Sequence, residues 1–378
     1  MSQGIPFCPN RNCANHHRPS CINWYRPFGW YGTKAYGRVR RYACRICRKS
    51  FSRRTYKLSY YLHLTISFRE LLFAMAGCTG IRALARQYKV TDKVISNRLS
   101  RLSRQAIGTM AALRPSQQRS EALVVDGFES FVRSQYSPNN THHLIGAQSQ
   151  YVYACDLAHL RRKGRMREDQ KRKRQHLEKR DSILPSEIQA SFDRICHAIQ
   201  DLPWSGVSLV LHSDKKKEYR AVLEANKYLG GRLQHLSTSS RKARTFRNPL
   251  WPVNYYDREL RKDQASQVRE TTRWSKESNH FMERMYTYAA YHNFFKPYRI
   301  KGRDGRTHAE VAGFDINRVR ERKERFFRER YFFSKVHFNI SEWLVWLRAY
   351  RTPFCSGYPG LPAYVTCQDR VGALLQAA

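Results

Sequence analysis

The chain has 378 residues, 41% of them hydrophobic, so it can build two or three domains with real cores and is not disordered as a whole. Lysine and arginine number 69 against 30 aspartate and glutamate, a formal net charge of +39. That excess implies a polyanionic partner, DNA or RNA; a membrane partner is excluded as a spanning one, since no apolar run approaches the ~18 residues a helix needs to cross.

Residues 1–55 open without an apolar leader and run into Cys8-Pro9-Asn10 almost at once. Ten cysteines in that context point to a reducing, intracellular compartment, where paired cysteines hold metal sooner than disulfides. Cys8 and Cys13 form one pair, and Cys44 and Cys47 a second, some thirty residues on. Two knuckles with two thiolates each suit a tetrahedral Zn²⁺, and Arg41-Tyr42-Ala43 before and Phe51 after the second knuckle fit a zinc ribbon. Cys21, His16 and His17 are possible substitute ligands, because the first knuckle is looser. Free, partly buried cysteines are the alternative. The ribbon is crowded with arginine and lysine, which favours a phosphate contact.

Residues 56–118 read as a helix-turn-helix. Phe68–Met75 has helical apolar spacing, Gly77–Gly80 breaks it, and Ile81–Leu102 holds two further helices around a Tyr88-Lys89-Val90 turn. Thr91 is the expected N-cap of the second. Val94, Leu99 and Leu102 are expected to face inward. Lys93, Ser96, Asn97, Arg98 and Arg101 are expected to face out, with the chemistry to read bases and phosphates in a major groove. An ordinary αα-hairpin would look similar. Residues 104–118 read as a helix tail and a linker.

Residues 119–310 carry the candidate chemistry. Leu123-Val124-Val125-Asp126 and Val207–Asp214 are short apolar runs that each end in an aspartate, as buried strands would. Two carboxylates on neighbouring strands can share a hard cation such as Mg²⁺, although an aspartate after a strand often only caps a turn. His142–Ala147 and Tyr151–Leu157 add strands of an antiparallel meander. Arg161, Arg162, Lys163 and Arg165 begin a basic run that reads as a solvated loop or a contact with the DNA backbone. Ile188–Ile199 and Glu218–Tyr228 have helical spacing, and Leu233–Leu236 is a short strand. The order β-β-β-α-β-α-β-α is that of an RNase H-like domain. A third carboxylate is expected on the helix starting near Pro252. Asn254 and Asp257 share a face there, and Glu259 points almost oppositely, so Asp257 is the choice and Glu259 the reserve. His142, His143 and His212 could orient phosphate but are more often structural.

With these modules in place, the chain resembles bacterial insertion-sequence transposases that have an acidic-triad (DDE/DDD) core. The likeness is to the group typified by insertion sequence one. It rests on the ribbon, the helix-turn-helix, Asp126 and Asp214. Leu260 to Lys276 is similar to that group's basic helix and "phenylalanine-serine-lysine" segment, and Tyr291-His292-Asn293 to its "Tyr-His-Asn" ending. The chain departs from it where many members place a glutamate, offering Asn254 and then Asp257. The resemblance implies binding of terminal inverted repeats, then metal-dependent cleavage and strand transfer with no covalent enzyme intermediate. It implies catalytic Mg²⁺ (Mn²⁺ possible) on Asp126, Asp214 and Asp257, and structural Zn²⁺. It also implies double-stranded DNA as partner, a homodimer or higher homo-oligomer, and a bacterial cytoplasmic location on DNA.

Residues 311–378 form a basic, aromatic, helical segment: Arg318–Arg330 with Phe326, Phe327 and Tyr331, then Trp343 and Trp346. Packing against the core or a second subunit is the expectation. Cys355 and Cys367 lie too far apart to make a knuckle. The fold class is thus multidomain, with a zinc ribbon and helix-turn-helix preceding an α/β RNase H-like domain and a helical end. Two other functions share most of these features: a non-catalytic DNA-binding regulator and an RNase H-like nuclease.

Overall fold

The computed structural model describes residues 5–117, 121–181, 187–203, 209–229, 231–268, 270–299, 302 and 304–354. The expectations for Val207, Ser208, Cys355, Cys367 and the tail fall outside them.

The N-terminal module holds a one-turn helix α1 (Ala14–His17) and an antiparallel sheet, β1 (Tyr25–Thr33), β2 (Gly37–Cys44) and β3 (Ser50–Ser52), in that order. Gly29, at φ +79°, sits in the bulge between Pro27 and Trp30. Trp24 stacks on Phe51 with ring centroids 5.3 Å apart, and both pack against Cys8, Cys13 and Cys44. Apolar burial alone does not stabilise so small a core, which is why its cysteines matter.

Three helices follow: α2 (Phe68–Ala76), α3 (Ile81–Gln87) and α4 (Asp92–Leu113). Ser67 caps α2 by accepting the Glu70 N–H at 3.2 Å. Lys89 takes the left-handed conformation, φ +52°, in the turn before α4. Thr91 precedes α4 as expected, yet its hydroxyl makes no capping bond. The larger correction is the length of α4. Residues 104–113 are not a tail and linker; they are the buried second half of a 22-residue helix packed on the later helices. A Cβ on Gly108 would lie 2.4 Å from the Tyr331 ring, so only glycine allows this crossing.

The α/β part is a five-stranded sheet from β4 (Leu123–Phe131), β5 (Pro138–Gly146), β6 (Val152–His159), β7 (Leu209–Asp214) and β8 (Leu233–Thr238), in the order β6-β5-β4-β7-β8. β4, β5 and β6 form the antiparallel meander, while β7 and β8 run parallel to β4. Both faces are covered, so β4 and β5 are buried along most of their length, although β5 carries buried polar residues from Asn139 to His143. Helices α5 (Glu168–Asp181), α6 (Ile188–Gln200) and α7 (Lys217–Ala225) follow the meander and β7. The opposite face carries α8 (Trp251–Asp263) and α9 (Ser278–Phe294). Pro252 lies in the first turn of α8, where its missing N–H costs nothing. The Asn293 side chain both donates to the Val152 carbonyl and accepts from its N–H, each at 2.9 Å, tying α9 to the edge strand.

The last described elements are a small hairpin, β9 (Pro297–Arg299) and β10 (Asp304–Thr307), then α10 (His308–Val311), α11 (Ile316–Arg325) and α12 (Ile340–Trp346). Their aromatic residues pack inward: Phe326 and Trp346 join the same core as α4 and the sheet. A buried ion pair, Arg114–Glu342 at 2.5 Å, locks α12 to the end of α4. Breaking such a pair typically costs on the order of 3–5 kcal/mol, because a buried charge is left alone.

Candidate metal centre and acidic cluster

Cys8, Cys13, Cys44 and Cys47 place their four Sγ atoms within 4.8 Å of one another. The Cys8–Cys47 and Cys13–Cys44 separations are 3.5 and 3.7 Å. Thiolates at ~2.3 Å from a tetrahedral Zn²⁺ are about 3.8 Å apart, so the donor set fits zinc in type and spacing. Burial would raise the Cys44 thiol, but hydrogen bonds from Asn15 and the knuckle backbone outweigh it and bring it down to about 7. The substitute ligands are engaged elsewhere or absent from the cluster. His16 donates from Nδ1 to the Cys8 carbonyl at 2.6 Å and reaches Ser334 Oγ at 2.7 Å. His17 bonds the Arg11 carbonyl, and Cys21 is exposed.

The second cluster sits on the sheet face under α8. Asp126 and His143 are register partners on β4 and β5 and so point to the same face. Asp214 closes β7, the parallel neighbour of β4. Lys216, just beyond it, places Nζ 3.7 Å from Asp126 Oδ1 and 3.5 Å from Asp214 Oδ2. From above, Asp257 on α8 accepts the His143 Nδ1–H at 2.8 Å. Burial pushes the Asp126 carboxyl up to about 6, opposed by Lys216 and reinforced by the neighbouring Asp214 and Asp257. Asp214 Oδ1 is buried with no hydrogen-bond partner. An unsatisfied buried carboxylate oxygen beside a second carboxylate fits an oxygen-ligated divalent cation. The three carboxylates do not converge within 4.8 Å of one another; among the described residues only the cysteines do.

Glu259, the reserve, is turned away from this face. It is buried between Lys262 and Lys296, each with Nζ 2.6 Å from Oε2. Burial alone would raise its carboxyl; the two lysines outweigh that and lower it. Asn254 accepts from Arg244 and donates to the Leu250 carbonyl. His142 points to the other face and meets Ser191 Oγ at 2.8 Å, while His212 is half-buried, and burial lowers its imidazole.

The residues expected to touch DNA divide. Lys93 and Asn97 are exposed on α4 and Ser96 is half-exposed. Arg98 is not outward: it is 3% exposed and donates to the Leu64 carbonyl at 2.8 Å. Arg101 bends back to the Leu58 carbonyl at 2.9 Å. Val94 is half-buried. Both arginines anchor the segment that joins the ribbon to the helices. The run from Arg161 is loop only up to α5, and Arg161 makes a two-pronged bond to Glu178, 2.8 Å at each nitrogen. Arg162 lies over the Tyr136 ring, while Lys163 and Arg165 are exposed. Sequence reading missed Lys216 as part of the cluster, although the Lys215-Lys216-Lys217 run directly after Asp214 was an available signal; it named His143 as a group that could orient phosphate, not as the partner of Asp257.

No protein-family profile matches the chain, and no curated protein matches it. A solved structure described as the crystal structure of the Mos1 strand transfer complex aligns with 71% of this chain and 79% of that one, at 10% identity and a TM-score of 0.27. A likeness that low does not establish a shared fold. No described helix is long and apolar enough to cross a membrane.

Proposed function

We propose that the protein is a metal-dependent DNA-cleaving and strand-joining enzyme of the transposase type, with an RNase H-like core. Asp126 and Asp214 share Lys216, and Asp257 is bonded to His143, the register partner of Asp126; this arrangement supports the reading, in a chain whose net charge of +39 suits a polyanion. Asp126 and Asp214 would hold Mg²⁺ or Mn²⁺, with Asp257 as third ligand positioned by His143. A divalent cation bound there supplies Lewis-acid activation of water, or of a 3′-hydroxyl, and of the leaving oxygen. Lys216 balances the two aspartates and can turn toward a phosphate as the site loads. The ribbon and the exposed face of α4 contribute double-stranded DNA binding. Synapsis of two element ends would require at least a homodimer.

One observation favours a non-catalytic DNA-binding regulator instead: Lys216 already neutralises the aspartate pair. Nicking of supercoiled plasmid with Mg²⁺ or Mn²⁺ separates the two. The enzyme reading expects nicking by the wild type, with Asp126→Asn and Asp214→Asn binding DNA and not cutting. Tight binding with no cutting by the wild type under either metal would leave the regulator.

A further inference from the structure

A cleft of about 650 Å³ is lined by none of the residues of the acidic cluster. One wall is α3 and the start of α4; the other is residues 264–266 and 272–276, between α8 and α9. Arg82, Arg86, Arg273, Lys276 and Arg284 line it, against a single described carboxylate, Asp92. Arg82, Arg86, Arg273 and Lys276 are exposed, and among the described residues no ion pair occupies them. Trp274 projects between them, 40% exposed, its ring 6.4 Å from Phe131 at the end of β4. The wall is braced by two hydrogen bonds: the Arg133 backbone N–H donates to the Ser275 carbonyl at 2.7 Å, and Ser130 Oγ donates to Gln267 Oε1 at 2.9 Å.

Arginines and a lysine with no carboxylate partner among the described residues, around an exposed tryptophan, are the makings of a stacking platform inside an electrostatic groove, although Arg273 also donates to the Cys78 carbonyl at 3.4 Å. The volume is that of a small-ligand pocket, on the order of 300–1,000 Å³. A splayed base can stack on Trp274 there, whereas the bases of a duplex are stacked on one another and closed to it. We infer that this cleft is a single-stranded DNA site that takes phosphates on Arg82, Arg86, Arg273 and Lys276 and stacks a base on Trp274. Phe131 is five residues from Asp126 along β4, roughly 17 Å at ~3.4 Å per residue. A strand freed at the acidic cluster reaches the cleft within a few nucleotides. The inference rests on the proposed cutting for the origin of that strand, and the binding itself is testable without it.

The test uses full-length protein carrying Asp126→Asn, so nothing is cut. Fluorescence anisotropy follows labelled hexathymidylate and, separately, a labelled duplex. Trp274→Ala is expected to weaken the single strand about ten-fold and leave the duplex unchanged, with Trp274→Phe restoring the single strand. Arg273→Ala is expected to lower the slope of log affinity against log salt by about 0.7, the loss of one phosphate contact. Equal weakening of single strand and duplex would make the cleft a duplex-backbone contact and overturn the inference, as would no change with either probe. Absence of plasmid nicking by the wild type, with hexathymidylate still dependent on Trp274, would sink the cutting reading alone.

Discussion

His143 Nδ1 lies 2.8 Å from Asp257 Oδ1, a bond that joins the second strand of the sheet to α8. The imidazole is fully buried, edge-on to Tyr256 at 5.0 Å and near Phe128 at 5.7 Å. It thus fixes where Asp257 stands over Asp126. His143→Phe keeps the ring and removes the donor. Metal-dependent nicking is expected to fall roughly ten-fold, as when partners of metal ligands are lost, with thermal unfolding little changed. Unchanged nicking would remove Asp257 from the site.

A stacked histidine pair makes the fold acid-sensitive. The His292 and His308 rings lie 3.8 Å apart, donating to the Gln150 and Ser149 carbonyls. Burial lowers the His308 imidazole from 6.5 to about 4, and His292 lies well below its ordinary value for the same reason. A histidine depressed in the folded state contributes stability above its unfolded pKa, near 6.5, and that contribution is lost as pH falls toward about 4. For His308 the full loss is about 3 kcal/mol. Urea unfolding at pH 7 and pH 5 of wild type and His308→Asn checks this. The stability gap between them is expected to narrow by about 2 kcal/mol at the lower pH; a constant gap would mean that His308 does not titrate there.

Much of this architecture is legible in the sequence, and the exceptions share a cause. The strands bearing Asp126 and Asp214 show as apolar runs because β4 is buried on both faces near Asp126, and β7 is buried on one face and half-buried on the other. The second half of α4 does not, because buried polar residues, Ser103, Arg104, Gln105 and Thr109, interrupt its apolar spacing. Ser100 and Arg104 meet Glu283, at 2.6 and 3.7 Å, across a sequence distance no local pattern reveals. Arg98 and Arg101 mislead for the same reason: their acceptors are backbone carbonyls at Leu64 and Leu58, and helical spacing records only their charge. Lys216 adjoins Asp214 in sequence, but its second carboxylate, Asp126, comes from another strand.

Zinc removal should act on the ribbon first. Trp24 is 3% exposed and stacked on Phe51 above the cysteines. Wild type is expected to bind one Zn²⁺ per chain, Cys44→Ser to lose it and Cys21→Ser to retain it. Chelation should shift tryptophan emission to the red as Trp24 meets water, since such small modules fold only with their metal. Zinc lost equally in Cys21→Ser would put Cys21 in the ligand set.

Asp257 and Glu259, two residues apart on α8, should fail in opposite ways. Glu259 is bound to Lys296, itself 8% exposed, at 2.6 Å, and to Lys262 at the same distance. Glu259→Gln removes the negative charge and leaves Lys296 buried without it. A stability loss of on the order of 3 kcal/mol is expected, with affinity for Mn²⁺ unchanged. Asp257→Asn keeps an acceptor for His143 and disturbs no buried lysine, so unfolding should move little. Its missing charge should instead weaken Mn²⁺ binding and abolish nicking, if α8 supplies the third ligand from this position. Mn²⁺ titration followed by electron paramagnetic resonance, beside urea unfolding, reads both arms. Weaker metal binding in Glu259→Gln with an intact Asp257→Asn would exchange the two roles, and α8 would then have to rotate to bring Glu259 over the sheet.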